Sequence, residues 1–338
     1  MANVEARYIY VISSIWFSPD IFGQNISFSR DAHEVRIDIP TPEFTRELIG
    51  IHRRIGYYNP TIRTWDDNSN LQNLNLFTVL RVCVLGEAYP GANAQFLMDN
   101  LGIANSVLTQ FVDWVRIRNG QAWIGVHGDP PELLTGQLVE QGTQAILQSN
   151  ISSSTPDFAV LHGHPRAIGL DDCEFIKAKL GVIAELPQSE LLLADALFHI
   201  GNAFPDTRRA VLLAAIACET KIKSVLRRLA GNKQKLVDLL IENPRDYSLA
   251  AEALFTKALD AIADTSLRNA QPNLHKSITK LFQIRNKIAH RGYIPSIDEA
   301  SPVVNAANEA FTWLDTVMSE TNVRGEPEPD HMPQGQRS

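Results

Sequence analysis

The run Leu281-Phe282-Gln283-Ile284-Arg285-Asn286-Lys287-Ile288-Ala289-His290-Arg291-Gly292 gathers an arginine, an amide and a histidine near the end of an apolar, helix-forming stretch. The planar fork of arginine can clamp a phosphate through two hydrogen bonds, and histidine is the side chain whose ordinary pKa lets it take or give a proton near neutral pH. Together they are a minimal kit for phosphodiester chemistry without a metal.

Helical spacing decides where these groups point. At about 100° per residue, Leu274, Ile278, Leu281, Ile288 and Ala289 share one face, and Arg285 projects from the middle of that apolar stripe. A guanidinium buried without partners costs several kcal/mol, so Arg285 is expected to meet a carboxylate, another subunit or a ligand. Asn286 and His290, four residues apart, share a neighbouring face and can point into one cleft. Gly292 is the expected stop. In the plainer alternative, Arg285 is a structural ion-pair partner and His290 a capping residue of the last turn.

The elements that must carry this helix can be read upstream. Apolar content predicts a first helix over 188–203, ending before Pro205, and a second over 208–229, capped by Asp206 or Thr207 and closed by Gly231. The second is apolar nearly all round from Ala210 to Cys218, which places it at the centre of a bundle, with Glu219 interrupting it between Ile216 and Ile222. After the Asn243-Pro244 break a shorter helical region covers 248–263. The motif helix starts near Asn273 behind Pro272, and a last helix spans roughly residues 301–319.

Arg285-Asn286, three further residues and then His290 match the arginine, four to six residues, histidine pattern of HEPN domains. The surrounding Leu-x-x-x-Arg-Asn-Lys-Ile-Ala-His-x-Gly resembles the Apea-like branch of that superfamily in particular. The likeness covers about 130 of the 338 residues and is specific at three or four of them. It implies a bundle of four or five helices with the motif late in the bundle. It also implies an endoribonuclease needing no metal or cofactor, and a homodimer whose two motif helices line one cleft. Catalytic roles fall to Arg285, Asn286 and His290. Since many such domains carry an acidic or polar residue on the second helix near the motif, Glu219 is expected to support Arg285. The competing partner for Glu219 is Lys223, one turn along its own helix. Defence or toxin biology, with an antitoxin or phage-derived trigger as partner, follows from the resemblance alone.

Charge supports an anionic partner for the second half. Residues 1–187 hold 13 Lys and Arg against 20 Asp and Glu, whereas residues 188–320 hold 16 against 15. No acidic residue occurs between Asp264 and Asp298, while Lys276, Lys280, Lys287 and Arg291 surround the motif as candidate RNA contacts. A solvated basic face is the plainer reading of the same run.

The fold class expected is α+β in two domains. A mixed α/β domain, 1–187, acts as a sensing or substrate-presenting module; an all-α bundle, 188–320, follows; a Gly-, Pro- and Glu-rich tail, 321–338, is expected to be disordered. Strands are predicted over 8–17, 33–39, 74–85 and 122–126, and helices over 41–54 and 105–118. The domain boundary is expected between about 165 and 188, with Pro187 as divider. His162-Gly163-His164-Pro165 lacks the further ligands a metal site needs, and no GxGxxG, P-loop or HExxH occurs. Cys83, Cys173 and Cys218 form no CxxC pair and read as reduced core thiols. With no long apolar run and no signal-peptide pattern, the expectation is a cytoplasmic protein without a membrane partner. The alternative function is a non-catalytic dimeric module that binds RNA or nucleotide.

Overall fold

Strand β1, Ala2–Phe17, alternates polar and apolar residues as far as Arg7, is mostly apolar beyond it, and lies in the middle of an antiparallel sheet. This computed structural model describes residues 2–30, 32–41, 61–65, 71–89, 91–121, 132–151, 167–182, 185–201, 205–242 and 251–324. The other strands are β2 (Asn25–Arg30), β3 (His33–Asp38), β4 (Thr61–Trp65), β5 (Leu71–Ala88), β6 (Glu132–Glu140) and β7 (Ile146–Ile151). Their order is β2-β3-β5-β1-β6-β7, and β4 pairs with the first part of β5. Six of the strands form one continuous path, so the fold is mixed α+β overall.

Period-two alternation sends Tyr8 and Tyr10 of β1, Val82 and Val84 of β5 and Val35 and Ile37 of β3 to one face, where all are buried. Helix α1, Asn93–Asn119, covers that face and is tied to it by hydrogen bonds from the Tyr8 hydroxyl to the Leu97 carbonyl (2.6 Å) and from the Tyr10 hydroxyl to Asn105 (2.8 Å). Helix α2, Leu170–Gly181, docks beside it through Asp172, which receives Arg118 at 3.0 Å and Asn119 at 2.9 Å. The other face carries Glu5, Arg7, Arg36, Asp38 and Arg81 around buried Cys83. Arg36 reaches both Glu5 (2.8 Å) and Asp38 (2.6 Å), and Arg81 reaches Asp38 (2.6 Å). Burial pushes the two carboxyls up, but the arginines outweigh it and hold both below their ordinary values.

The chain divides into two compact units at Pro187. The described residues of the second unit are all in helices or their connections. They form α3 (Gln188–Gly201), α4 (Thr207–Leu229), α5 (Gln234–Glu242), a helical segment over 251–263 (α6), α7 (Leu267–Ala270), α8 (Pro272–Arg291) and α9 (Ile297–Arg324). The middle of α6 is a π-helical turn, Leu254–Ala258. Asp206 caps α4 by accepting from the Arg209 amide at 3.0 Å, as its position before the apolar run predicts. Ala210, Val211, Ala214, Ala215, Ala217, Cys218, Ile222 and Val225 bury α4 against its neighbours, among them α8 and α9.

Several elements differ from the sequence reading. Strands β2, β4, β6 and β7 and helices α2, α5 and α7 were not anticipated, and α1 starts twelve residues before the predicted 105. The zone expected to hold only a domain boundary contains α2. The predicted strand over 122–126, nearly all of the predicted helix over 41–54, the His162-Gly163-His164-Pro165 loop and the tail from 325 lie outside the described residues.

Candidate functional site

Helix α8 begins with Pro272 at its first position, where no amide is needed, and stops at Gly292 with φ +62°. The Gly292 amide returns to the Ile288 carbonyl at 3.0 Å, fixing the end of the helix immediately after the motif. Its buried stripe is Leu274, Ile278, Leu281, Ile284 and Ile288. This corrects the expected stripe at one residue: Ala289 is exposed and Ile284 is buried in its place. Burying isoleucine removes more apolar surface from water than burying alanine, so the helix is turned slightly and Arg285 lies half-buried at the edge of the stripe.

That rotation changes the partner Arg285 needs. Its Nη1 donates to the Asn286 side-chain oxygen at 3.0 Å. Glu219, the expected partner, instead accepts from Lys223 Nζ at 2.6 Å on its own helix. The pairing of Glu219 with Arg285 is therefore corrected. The local i,i+4 pair forms without burying either charge, whereas a pair between helices would have required both side chains to leave water.

Asn286 and His290 are exposed and one turn apart. Lys276, Lys280, Lys287 and Arg291 are exposed too. Going round the helix at about 100° per residue, the order is Arg285, then Ala289 and Phe282, then Asn286, His290 and the cationic row. Arg285 and the cationic row lie at opposite ends of that order, with Asn286 and His290 between them.

The loop after the motif is pinned from two sides. Arg208 Nη2 donates to the Gly292 carbonyl at 3.1 Å and the Thr207 hydroxyl to the Pro295 carbonyl at 2.8 Å. The Tyr293 hydroxyl donates to Glu299 at 2.6 Å, and Lys287 lies 5.7 Å from the Tyr293 ring centre. Glu299 also accepts from the Ser296 amide at 3.2 Å while Ser296 accepts from the Glu299 amide, a capping box at the start of α9. The hydrogen bond to Glu299 raises the Tyr293 pKa and lowers that of Glu299. Arg208 was missed by sequence reasoning because nothing in α4 marks its approach to a glycine 84 positions away.

A second missed residue is Lys221. Its ammonium is buried on α4, donates to Glu190 at 2.7 Å, pairs with Asp315 at 2.7 Å and lies 5.2 Å from the Phe311 ring centre. Burial pulls the lysine's pKa down, but the hydrogen bonds and charges of Asp315 and Glu190 overcome it and raise the net value. The signal was available: Lys221 falls in the row Ala214, Cys218, Lys221, Val225, which is otherwise apolar and buried.

Among the described residues no group of three or more His, Cys, Asp or Glu is placed to hold a metal, and no helix is long and apolar enough to cross a membrane. The three cysteines are free and buried, and burial pushes the Cys173 thiol up to about 12. Comparison with protein-family models and with curated proteins finds no match to this chain.

Proposed function

We propose that the helical unit is a HEPN-like bundle and that the chain is a metal-independent endoribonuclease acting at a composite homodimer site. One observation carries this reading. Arg285 is held by a neutral amide rather than a carboxylate, so its charge remains available, and exposed His290 stands one turn beyond Asn286.

In the proposed reaction the ribose 2′-oxygen attacks the adjacent phosphorus and the bond from phosphorus to the 5′-oxygen breaks. The products are a 2′,3′-cyclic phosphate and a 5′-hydroxyl. His290 accepts the 2′-hydroxyl proton, and His290 of the second copy, entering protonated, supplies one to the leaving oxygen. Arg285 stabilises the charge gathering on the non-bridging oxygens, and Asn286 keeps the guanidinium turned toward the His290 side of the helix. Lys276, Lys280, Lys287 and Arg291 hold flanking phosphates. DNA, lacking the 2′-hydroxyl, is not cut. The first unit acts in this reading as a sensing or substrate-presenting domain of a cytoplasmic defence or toxin effector, answering to an antitoxin or phage-derived trigger.

The test is cleavage of RNA by the purified chain in the presence of chelator. The wild type cuts, and His290→Ala lowers the rate by about 10²–10⁴-fold while RNA retention persists. Cleavage by His290→Ala at the wild-type rate removes histidine from the mechanism. Retention without any cleavage by the wild type selects a non-catalytic RNA-binding module, a reading favoured by the separation of Arg285 from the cationic row.

A further inference from the structure

Helix α4 is apolar on every side from Ala210 to Cys218, and a helix of that kind is expected to be covered all round. Among the described residues only one side is fully covered. Ala210, Ala214, Cys218 and Val225 are buried, whereas on the opposite side Leu212 and Leu213 are half-buried and Ile216 keeps 43% of its surface exposed. Arg209 stands one turn before this apolar patch, and Glu219 and Lys223 follow it by one and two turns on the same side. An apolar centre with charges of both signs at its ends suits a protein surface better than it suits water.

The order of the charges names the occupant. When two copies of α4 cross antiparallel about the level of Ala214, residues equally far before and after that level face each other. Leu212 then meets Ile216 of the second copy, and Arg209, five residues before the level, meets Glu219, five residues after it. Asp206, exposed ahead of the helix, comes opposite Lys223 to within one residue. Each of these contacts occurs twice by symmetry. A crossing about Ile216 would instead set Arg209 against Lys223, like against like, so the charges fit the first register and oppose the second. Arg209 is exposed and has no carboxylate partner among the described residues. Lys223 takes one oxygen of Glu219 at 2.6 Å in a local pair of the weak i,i+4 kind, so Glu219 has a second oxygen to offer.

We infer that this face of α4 is the surface through which two copies of the chain associate, in a twofold antiparallel contact about Ala214. A single helix pair lies at the low end of interface sizes, below roughly 1,200 Å², so the dimer is a reversible one that forms in the micromolar range. Arg208, beside Arg209, holds the Gly292 carbonyl, so the contact borders the motif end of α8. For any part in catalysis the inference rests on the homodimer of the proposed reaction; the contact itself does not.

The full-length chain is followed by sedimentation equilibrium across the micromolar range, and unfolding curves verify that each variant folds. The wild type shows a concentration-dependent equilibrium of monomer and dimer. Ile216→Glu puts a charge at the centre of the contact, and Arg209→Glu sets like charges across it. Each raises the dissociation constant by at least about tenfold. Arg209→Glu/Glu219→Arg exchanges the two charges and restores the constant to within about threefold of the wild type. Within one helix the two positions are ten residues, or about 15 Å, apart, so such a rescue acts across copies. A wild type that stays monomeric, a dimer indifferent to Ile216→Glu, or a double exchange that recovers nothing overturns the inference. Cleavage rates on the same samples test the proposed reaction separately. A monomeric Ile216→Glu chain that cuts RNA at the wild-type rate refutes the composite site and leaves this contact standing.

Discussion

Lys221 on α4 and Arg285 on α8 are cations on packed helices of one unit, and the fold treats them in opposite ways. Lys221 is buried and meets two carboxylates, from Glu190 on α3 and Asp315 on α9. Arg285 is half-buried and meets an amide oxygen, which orients a guanidinium without neutralising it. The first arrangement joins three helices and uses up its charge internally. The second leaves a charge directed at solvent, which is what an anionic substrate requires. A cation already matched by carboxylates has little electrostatic attraction left to offer a ligand, so the contrast separates a structural charge from one available for chemistry.

Removing each cation breaks a different property if this contrast is right. Arg285→Ala is expected to have the largest effect, a fall in RNA cleavage of about 10²–10³-fold, because in the proposed reaction it deletes the group that stabilises charge in the transition state. Its unfolding free energy should change by less than about 1 kcal/mol, since a partly exposed side chain bonded to an amide contributes little. Denaturant unfolding together with cleavage rates measures both. A large stability loss in Arg285→Ala would make the two cations alike and undo the comparison.

Lys221→Ala reverses the pattern. It leaves Glu190 and Asp315 facing each other with no cation between them and should destabilise the chain by about 3 kcal/mol, the low end for a broken buried pair. The low end applies because the Asp315 side chain is 59% exposed and recovers water. Cleavage per folded molecule should stay at the wild-type rate. Loss of activity in protein shown to be folded would instead place Lys221 in the working machinery.

The helix bearing the motif was legible because its ends are local chemistry. Pro272 suits a first turn, Gly292 suits a left-handed stop, and the isoleucines between them keep helical period. The Asp206 cap and the alternation of Val35 and Ile37 were legible for the same reason. What failed was pairing across elements. Strand β6 contains Leu133-Leu134, Gly136 and Leu138-Val139, a sequence that does not alternate cleanly, and β7 is an edge strand with Ile146 exposed, so neither shows the pattern of a half-buried strand. Helix α2 is short, and its docking rests on Asp172 meeting residues more than fifty positions away. At the site, a turn of α8 by less than half the angle of one residue decided between Ala289 and Ile284, and a hydropathy stripe does not resolve a turn that small.

Glu219 gives the smallest expected effect and the sharpest test of how the motif arginine is held. In the structure Glu219 binds Lys223 within one helix, and both side chains keep about a third of their surface in water. Such a pair contributes less than about 1 kcal/mol, so Glu219→Ala should change unfolding free energy by no more than that. Because Arg285 does not share this partner, Glu219→Ala and Arg285→Ala should add within about 0.5 kcal/mol in a double-mutant cycle. A loss near 3 kcal/mol, recovered in part when both charges are removed, would mean that Glu219 reaches Arg285 after all and leaves Lys223 unpaired. Arg285 would then be a neutralised structural cation like Lys221, and its charge would have to be freed from Glu219 before it could hold a phosphate. Additivity leaves Arg285 with Asn286 as its partner and Glu219 paired with Lys223 along α4.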